Sequence, residues 1–216
     1  MDEHIEYYGG ERPRQKFSLN DGVLDGPAIS YDERGQIKQL ANFKQGKLDG
    51  LTTFYDDNGQ PSQTMTFREG LLDQTMTIYV NQTPRMTIAF KQGQQHGESV
   101  TFNDNQTVVE RSHYREGKLD GFSELYDNGG QLTKKAHYRK GKLDGETLEY
   151  FAGGKIRTKC AYRDDKVDGE MLAFNEDGSV KERLYFKNGV QQSGPPPKPK
   201  PVKSARSLCQ RPPGGF

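Results

Sequence analysis

Apolar and aromatic residues recur along this chain at a fixed spacing. Leu19, Phe43, Phe67, Phe90, Tyr114, Tyr138, Tyr162 and Phe186 follow one another at 24-residue intervals, with one interval of 23 between Phe67 and Phe90. A period of that length marks an array of one supersecondary unit. Each unit places a basic residue after its register aromatic, then a turn built on Gly, a Leu-Asp-Gly step, and an aromatic five residues further on. No stretch carries the 3.6-residue apolar period of a helix.

Two short strands and two turns account for each unit. The run after Leu-Asp-Gly ends at Tyr31, Tyr55, Tyr79, Phe102, Tyr126, Tyr150 or Phe174 and is of strand length and composition. Turn residues follow at once, as in Asp57-Asn58-Gly59, Asp127-Asn128-Gly129-Gly130 and Glu176-Asp177-Gly178. A second run of about eight residues then returns to the next register aromatic. The expectation is an all-β fold, an elongated single-sheet array of about eight 24-residue β-hairpin repeats over residues 1–193.

Because neighbouring residues in a strand point to opposite sides, the pattern also assigns faces. One face of the second strand carries the register aromatic and the position two before it (Ala41, Met65, Ile88, Ala136, Cys160, Leu184). The position six before it (Ile37, Val108, Leu132, Ile156, Val180) is expected on that same core face. The opposite face collects Arg111, Lys135, Lys159 and Arg183, and the residue after the aromatic is basic at Lys44, Arg68, Lys91, Arg115, Arg139, Arg163 and Lys187. Acidic partners lie nearby: Asp25, Asp49, Asp73, Asp120, Asp144 and Asp168 form a column in which His96 is the exception.

At 31% hydrophobic residues and a mean hydropathy of -0.98, the composition resembles that of chains that do not fold. The apolar residues are concentrated at repeat positions, however, so a thin array stabilised by stacking of units is expected, without a deep core. The sequence contains no apolar run of membrane-spanning length. Aligned by the repeat, Tyr7 takes the slot of Tyr31, so the chain opens halfway through a unit behind Met1-Asp2-Glu3-His4. Two readings stay open: a half-repeat cap on a cytoplasmic protein, or a periplasmic protein whose export signal has been removed.

Residues 194–216 are of another kind. They hold seven of the eleven prolines, including Pro195-Pro196-Pro197-Lys198-Pro199-Lys200-Pro201, which favours an extended polyproline strut. Lys198, Lys200, Lys203, Arg206 and Arg211 give this segment five positive charges and no negative ones, leaving 26 basic against 30 acidic residues elsewhere. These five are candidate contacts to the array or to a partner. Cys160 fills a core slot and Cys209 lies in the tail; a bridge between them is expected in an oxidising compartment, and two thiols in a reducing one.

The stretches Gly46-Lys47-Leu48-Asp49-Gly50, Gly117-Lys118-Leu119-Asp120-Gly121 and Gly141-Lys142-Leu143-Asp144-Gly145, each followed five residues on by Tyr, resemble the MORN-repeat variant of YwqK-like proteins. The likeness runs from about residue 7 to 193 and departs at Gln74, Asp165, Ser193 and Asn103-Asp104-Asn105-Gln106. It implies a protein-binding array. Relatives of this kind act as antitoxins, some as immunity partners of secreted toxins that include phospholipase effectors of type VI secretion; other MORN arrays are membrane-attached scaffolds.

The residues themselves point to no catalytic site. Glycines fall at hairpin turns and not at a strand-to-helix phosphate loop, and the recurring pair His113 and His137 lacks a third ligand at metal spacing. No cofactor, metal or nucleic-acid partner is expected, since basic columns are matched by carboxylates. A cognate protein toxin is the expected partner, with membrane contact secondary. The unit over residues 71–107 departs most from its siblings, which makes Gln74, Arg85, Gln94, Gln95, His96, Asn103 and Asn105 the candidate partner-binding residues. Its missing residue is expected to bend the array and expose a polar face.

Overall fold

A computed structural model describes residues 2–194, and every regular element among them is a strand. In order these are β1 (Asp2–Tyr7), β2 (Pro13–Asn20), β3 (Val23–Tyr31), β4 (Ile37–Lys44), β5 (Lys47–Leu48), β6 (Gly50–Tyr55), β7 (Pro61–Arg68), β8 (Leu71–Leu72), β9 (Gln74–Val80) and β10 (Thr83–Lys91). There follow β11 (Gln94–Phe102), β12 (Val108–Arg115), β13 (Lys118–Tyr126), β14 (Leu132–Arg139), β15 (Lys142–Tyr150), β16 (Ile156–Arg163), β17 (Lys166–Phe174), β18 (Val180–Lys187) and β19 (Val190–Gln192). All nineteen belong to one sheet. Pairing is antiparallel and follows chain order, so the sheet is a meander. In two units the first strand is interrupted at Asp49 or Asp73, and β4 pairs with both β5 and β6 as β7 pairs with both β8 and β9.

Two turn types hold the strands in step. Along one long edge the turn residues both have positive φ, as at Gln45 and Gly46 (50° and 79°) or Lys140 and Gly141 (52° and 86°). That is the twist a two-residue hairpin between right-twisted strands requires. Along the other edge an Asp or Asn opens a longer turn: the Oδ1 of Asp56 accepts from the N–H groups of Asn58 and Gln60, and that of Asp127 from Gly129 and Gln131, all at 2.9 Å.

One ladder of cross-strand partners is continuous from β11 to β18. Ser99, Ser112, Ser123, Ala136, Thr147, Cys160, Met171 and Leu184 are successive cross-strand partners on one face. Four of the small members are buried, Ala136 and Ser112 at 2% exposure and Thr147 and Cys160 at 7%. Register aromatics flank this row, Tyr114 opposite Leu119 and Tyr138 opposite Leu143. A sheet with no second layer closes its core in this way, by large side chains leaning over small ones.

Two expectations about the faces need correction. A bulge shifts the register beside each strand-end aromatic, so that Ile37 opposes Tyr31, Val108 opposes Phe102 and Leu132 opposes Tyr126. A one-residue slip exchanges faces. These apolar residues therefore join the strand-end aromatics on the face of the basic column, where Tyr55, Pro61 and Tyr79 line one shallow depression together with Thr53 and Thr64. That face is also not purely charged. Val100, Arg111, Glu124, Lys135, Leu148, Lys159, Leu172 and Arg183 are successive partners; Leu172 is buried between the stems of Lys159 and Arg183, and Val100 is buried between Thr87 and Arg111.

The short unit does not displace this ladder. Its missing residue is absorbed in the turn between β9 and β10, where Asn81 and Gln82 take φ of 50° and 65° and Thr83 pairs directly with Val80. Ile88 still opposes Met76 on one side and Ser99 on the other.

Candidate binding surfaces

The face of the basic column is a lattice of ion pairs. Lys135 lies 2.8 Å from Glu124, Arg183 2.7 Å from Glu170, Arg111 3.4 Å from Glu98 and Lys16 2.7 Å from Glu3, and Lys159 pairs with Glu146. Cross-strand alternation of charge gives this arrangement, since a cation on a second strand has first strands on both sides. Hydrogen bonding to Lys135 holds the Glu124 carboxyl below the usual carboxylate range, and Arg157 does the same for Glu149.

Among these charges stands an aromatic that the repeat comparison did not single out. Phe122 is 45% exposed, with the Lys135 ammonium 4.2 Å from its ring centroid and the His137 ring edge-on at 5.0 Å. His113 and His137 are each one strand away on either side of it. His137 is fixed in turn, its Nδ1–H donating to the Asp144 carbonyl at 2.6 Å. The signal was present in the sequence: at the residue after Gly in Leu-Asp-Gly, the siblings of Phe122 include Glu146 and Glu170. An exposed aromatic held by a cation and an imidazole has the features of an interface anchor.

The two-residue turns form a second surface along one edge, and they are tied together across units. The turn Gly46 donates its N–H to the Leu24 carbonyl at 2.7 Å, Gly70 to Leu48 at 2.8 Å and Gly141 to Leu119 at 2.7 Å. The Asp column completes this tie. Asp25, Asp49 and Asp120 accept from the N–H groups of Gln45, Glu69 and Lys140, each in the turn of the following unit. Asp168 instead is enclosed between Arg163 and Lys187. Capping by Asp is thus a link between repeats and not only within a turn.

The seven candidate partner-binding residues do not converge. Gln74, Gln94, Gln95 and His96 lie on the edge of the two-residue turns, and Arg85, Asn103 and Asn105 on the opposite edge. Seven strand residues separate Gln95 from Phe102, roughly 24 Å at 3.4 Å per residue. Several are also engaged in the array itself. Asn103 opens a turn by accepting from the N–H groups of Asn105 and Thr107, and its amide donates to the Asn128 carbonyl at 3.0 Å. Arg85 donates to the Phe102 carbonyl and pairs with Asp104. In place of a glycine whose siblings have φ of 102° to 130°, Gln74 is drawn back to 72°. Gln94 and His96, together with Lys91, Gln92 and Glu116, line an open polar depression of about 400 Å³.

Cys160 is buried in the small-residue row, and burial pushes the pKa of its sulfur group up. Cys209 and the tail residues Lys198, Lys200, Lys203, Arg206 and Arg211 lie outside the described residues, as does the Cys160–Cys209 bridge considered above.

Three stretches, residues 24–45, 48–69 and 167–188, match the family model described as the MORN repeat variant. None of the curated proteins matches the chain. Among solved structures, an S. aureus TarM G117R mutant in complex with fondaparinux, alpha-GlcNAc-glycerol and UDP is similar at 13% identity and a TM-score of 0.35. The likeness covers 52% of this chain and 21% of that one, and at such a score no argument rests on it. The three family matches begin at Leu24, Leu48 and Val167, each the residue before the Asp of its Leu-Asp-Gly or Val-Asp-Gly step, so they fall in phase with the 24-residue register, and these three units of the array are MORN-variant repeats.

Proposed function

We propose that this chain works without catalysis, as an antitoxin or immunity protein that neutralises a bacterial toxin by binding it in fixed stoichiometry. Phospholipase effectors of type VI secretion are the toxin class to test first. MORN repeats bind proteins or membranes, and one observation favours a protein partner here: cations along the strand face are held by carboxylates at 2.7–3.4 Å, and one of them, Lys135, also covers the exposed Phe122. An anionic bilayer attracts uncompensated positive charge. A neutral, hydrogen-bonding surface with a central aromatic suits a protein.

The experiment is co-expression with phospholipase-type toxins, first of all any encoded next to this chain, with affinity measured on purified components. Phe122→Ala is expected to weaken binding at least tenfold with an unchanged unfolding midpoint, as truncation of an anchor does. Paired variants test the edges separately: Gln94, Gln95 and His96 to Ala on one side, Arg85 and Asn105 to Ala on the other. Binding to anionic vesicles in place of the toxin would establish the scaffold reading instead. Turnover of a substrate by the purified protein would refute the inhibitor reading.

A further inference from the structure

The sheet carries a half-filled strand position at one end and the matching half strand at the other. On its β17 side β18 is paired from Val180 to Phe186. On its other side only Tyr185, Phe186 and Lys187 are paired, with the three residues of β19. Among the described residues, the backbone of Val180–Leu184 has no strand along that edge. The same position is complete elsewhere in the sheet. There β4 takes β5 opposite Phe43 and Lys44, then β6 opposite Gln39 and Leu40, as two separate segments of one first strand. By the repeat, β19 occupies the place of β5, and the place of β6 beside β18 has no occupant among the described residues.

β1 has the dimensions of that missing segment. It is six residues long, as β6 is, and ends on Tyr7 where β6 ends on Tyr55. Its pairing to β2 repeats the pairing of β6 to β7 residue for residue: Asp2 opposes Leu19 as Gly50 opposes Phe67, and the bulge comes at Glu6/Tyr7 as it does at Phe54/Tyr55. What β1 lacks, among the described residues, is the partner that β4 provides to β6.

We propose that β1 of a second copy seats on the open edge of β18, continuing the array head to tail. The register of β4 with β6 sets the contacts, with Arg183 opposite Ile5 of the second copy and Leu184 opposite its His4. Formal charge agrees with this placement, because β18 carries Lys181, Arg183 and Lys187 against one acid, Glu182, while β1 carries Asp2, Glu3 and Glu6; Arg183, Lys187, Glu3 and Glu6 already pair within one copy, with Glu170, Asp168, Lys16 and Arg14, so the new attraction falls to Lys181 and Asp2. The one like-charged pair, Glu182 with Glu6, is relieved by Arg14, which lies 3.6 Å from Glu6. Exposed apolar residues also gather at the two ends: Ile5, Tyr7 and Tyr8 at one, Val180 and Val190 at the other. A contact of this kind is heterologous and does not close on itself, so it grows with concentration.

Two single-cysteine variants of the full chain test it, Ile5→Cys and Arg183→Cys, in a background with Cys160→Ala and Cys209→Ser. Directly opposed residues of an antiparallel pair lie within disulfide reach. Mixed and oxidised at about 100 µM, they are expected to form a covalent dimer at least tenfold faster than Ile5→Cys mixed with the off-register Val190→Cys. Sedimentation of the unmodified chain is expected to show mass rising with concentration in steps of one 24.4 kDa chain. Equal cross-linking of the two mixtures, or a monomer at every concentration, overturns the proposal. So does a full chain that stays monomeric while one lacking residues 195–216 associates, because the tail is then the occupant.

Discussion

Replacing Gly145 by Ala should cost the array about 2–3 kcal/mol, although the change adds one methyl group at a half-exposed position. Gly145 has φ of 124°, in a region that residues with a side chain rarely adopt. An ideal Cβ there would lie 3.1 Å from both Cβ and Nδ1 of His137. His137 cannot swing aside without losing its 2.6 Å bond to the Asp144 carbonyl and its edge contact with Phe122. Backbone strain of about 1–3 kcal/mol adds to displacement of that ring, while lower entropy of the unfolded chain returns about 0.4–1 kcal/mol. Gly22→Ala is the control, since its φ is 77° and nothing lies within 4 Å of the added atom, leaving a left-handed cost of about 1 kcal/mol. A change of the same kind is already present in the chain. Gln74 stands in the sibling position at φ of 72°, and Gln74→Gly should therefore stabilise by about 0.5–1 kcal/mol. Urea midpoints give the global effect, and hydrogen exchange of the β14 and β15 amides shows whether the loss is local, as a quasi-linear array allows. A Gly145→Ala variant within about 0.5 kcal/mol of wild type, below the cost expected from backbone strain alone, would refute the reasoning. A destabilised Gln74→Gly would refute it equally.

His96→Asp should restore the link that Asp49 makes to Glu69, with the introduced carboxylate accepting from the Glu116 N–H, and raise stability by about 0.5–1 kcal/mol in urea unfolding. Ala136→Leu should destabilise by about 1–3 kcal/mol, because Ala136 is 2% exposed and leaves no room for added methylenes; a thermal scan decides it. The Glu124 carboxyl is held below its ordinary pKa by Lys135, so its contribution is present above the unfolded-chain value and is lost as pH falls through the folded one. Urea midpoints across that acid range should accordingly fall less steeply for Glu124→Gln than for wild type.

The period and the alternation of strand and turn were legible in the residues, because each depends on local rules: alternation within a strand, Gly at the turns and Asp at the head of a turn. The positive φ of Gln45, Glu69, Gln92, Glu116 and Lys140 beside the turn glycines was not. The small-residue row was legible too, since Ala41, Ala136 and Cys160 recur in step with the aromatics. Long-range consequences were not. The bulge beside Tyr31, Tyr126 and their siblings exchanges the face of Ile37 and Leu132, and nothing within either strand signals a slip that exists only between them. Likewise Asn103 and Arg85, read as departures free for a partner, are consumed by bonds to Asn128, Phe102 and Asp104 that join segments of neighbouring units. The Asp column shows the division most clearly. Its spacing alone placed a carboxylate beside six of the turns, but only the pairing of one unit with the next, which brings Asp49 to Glu69 and Asp120 to Lys140, turned a local cap into the link between repeats.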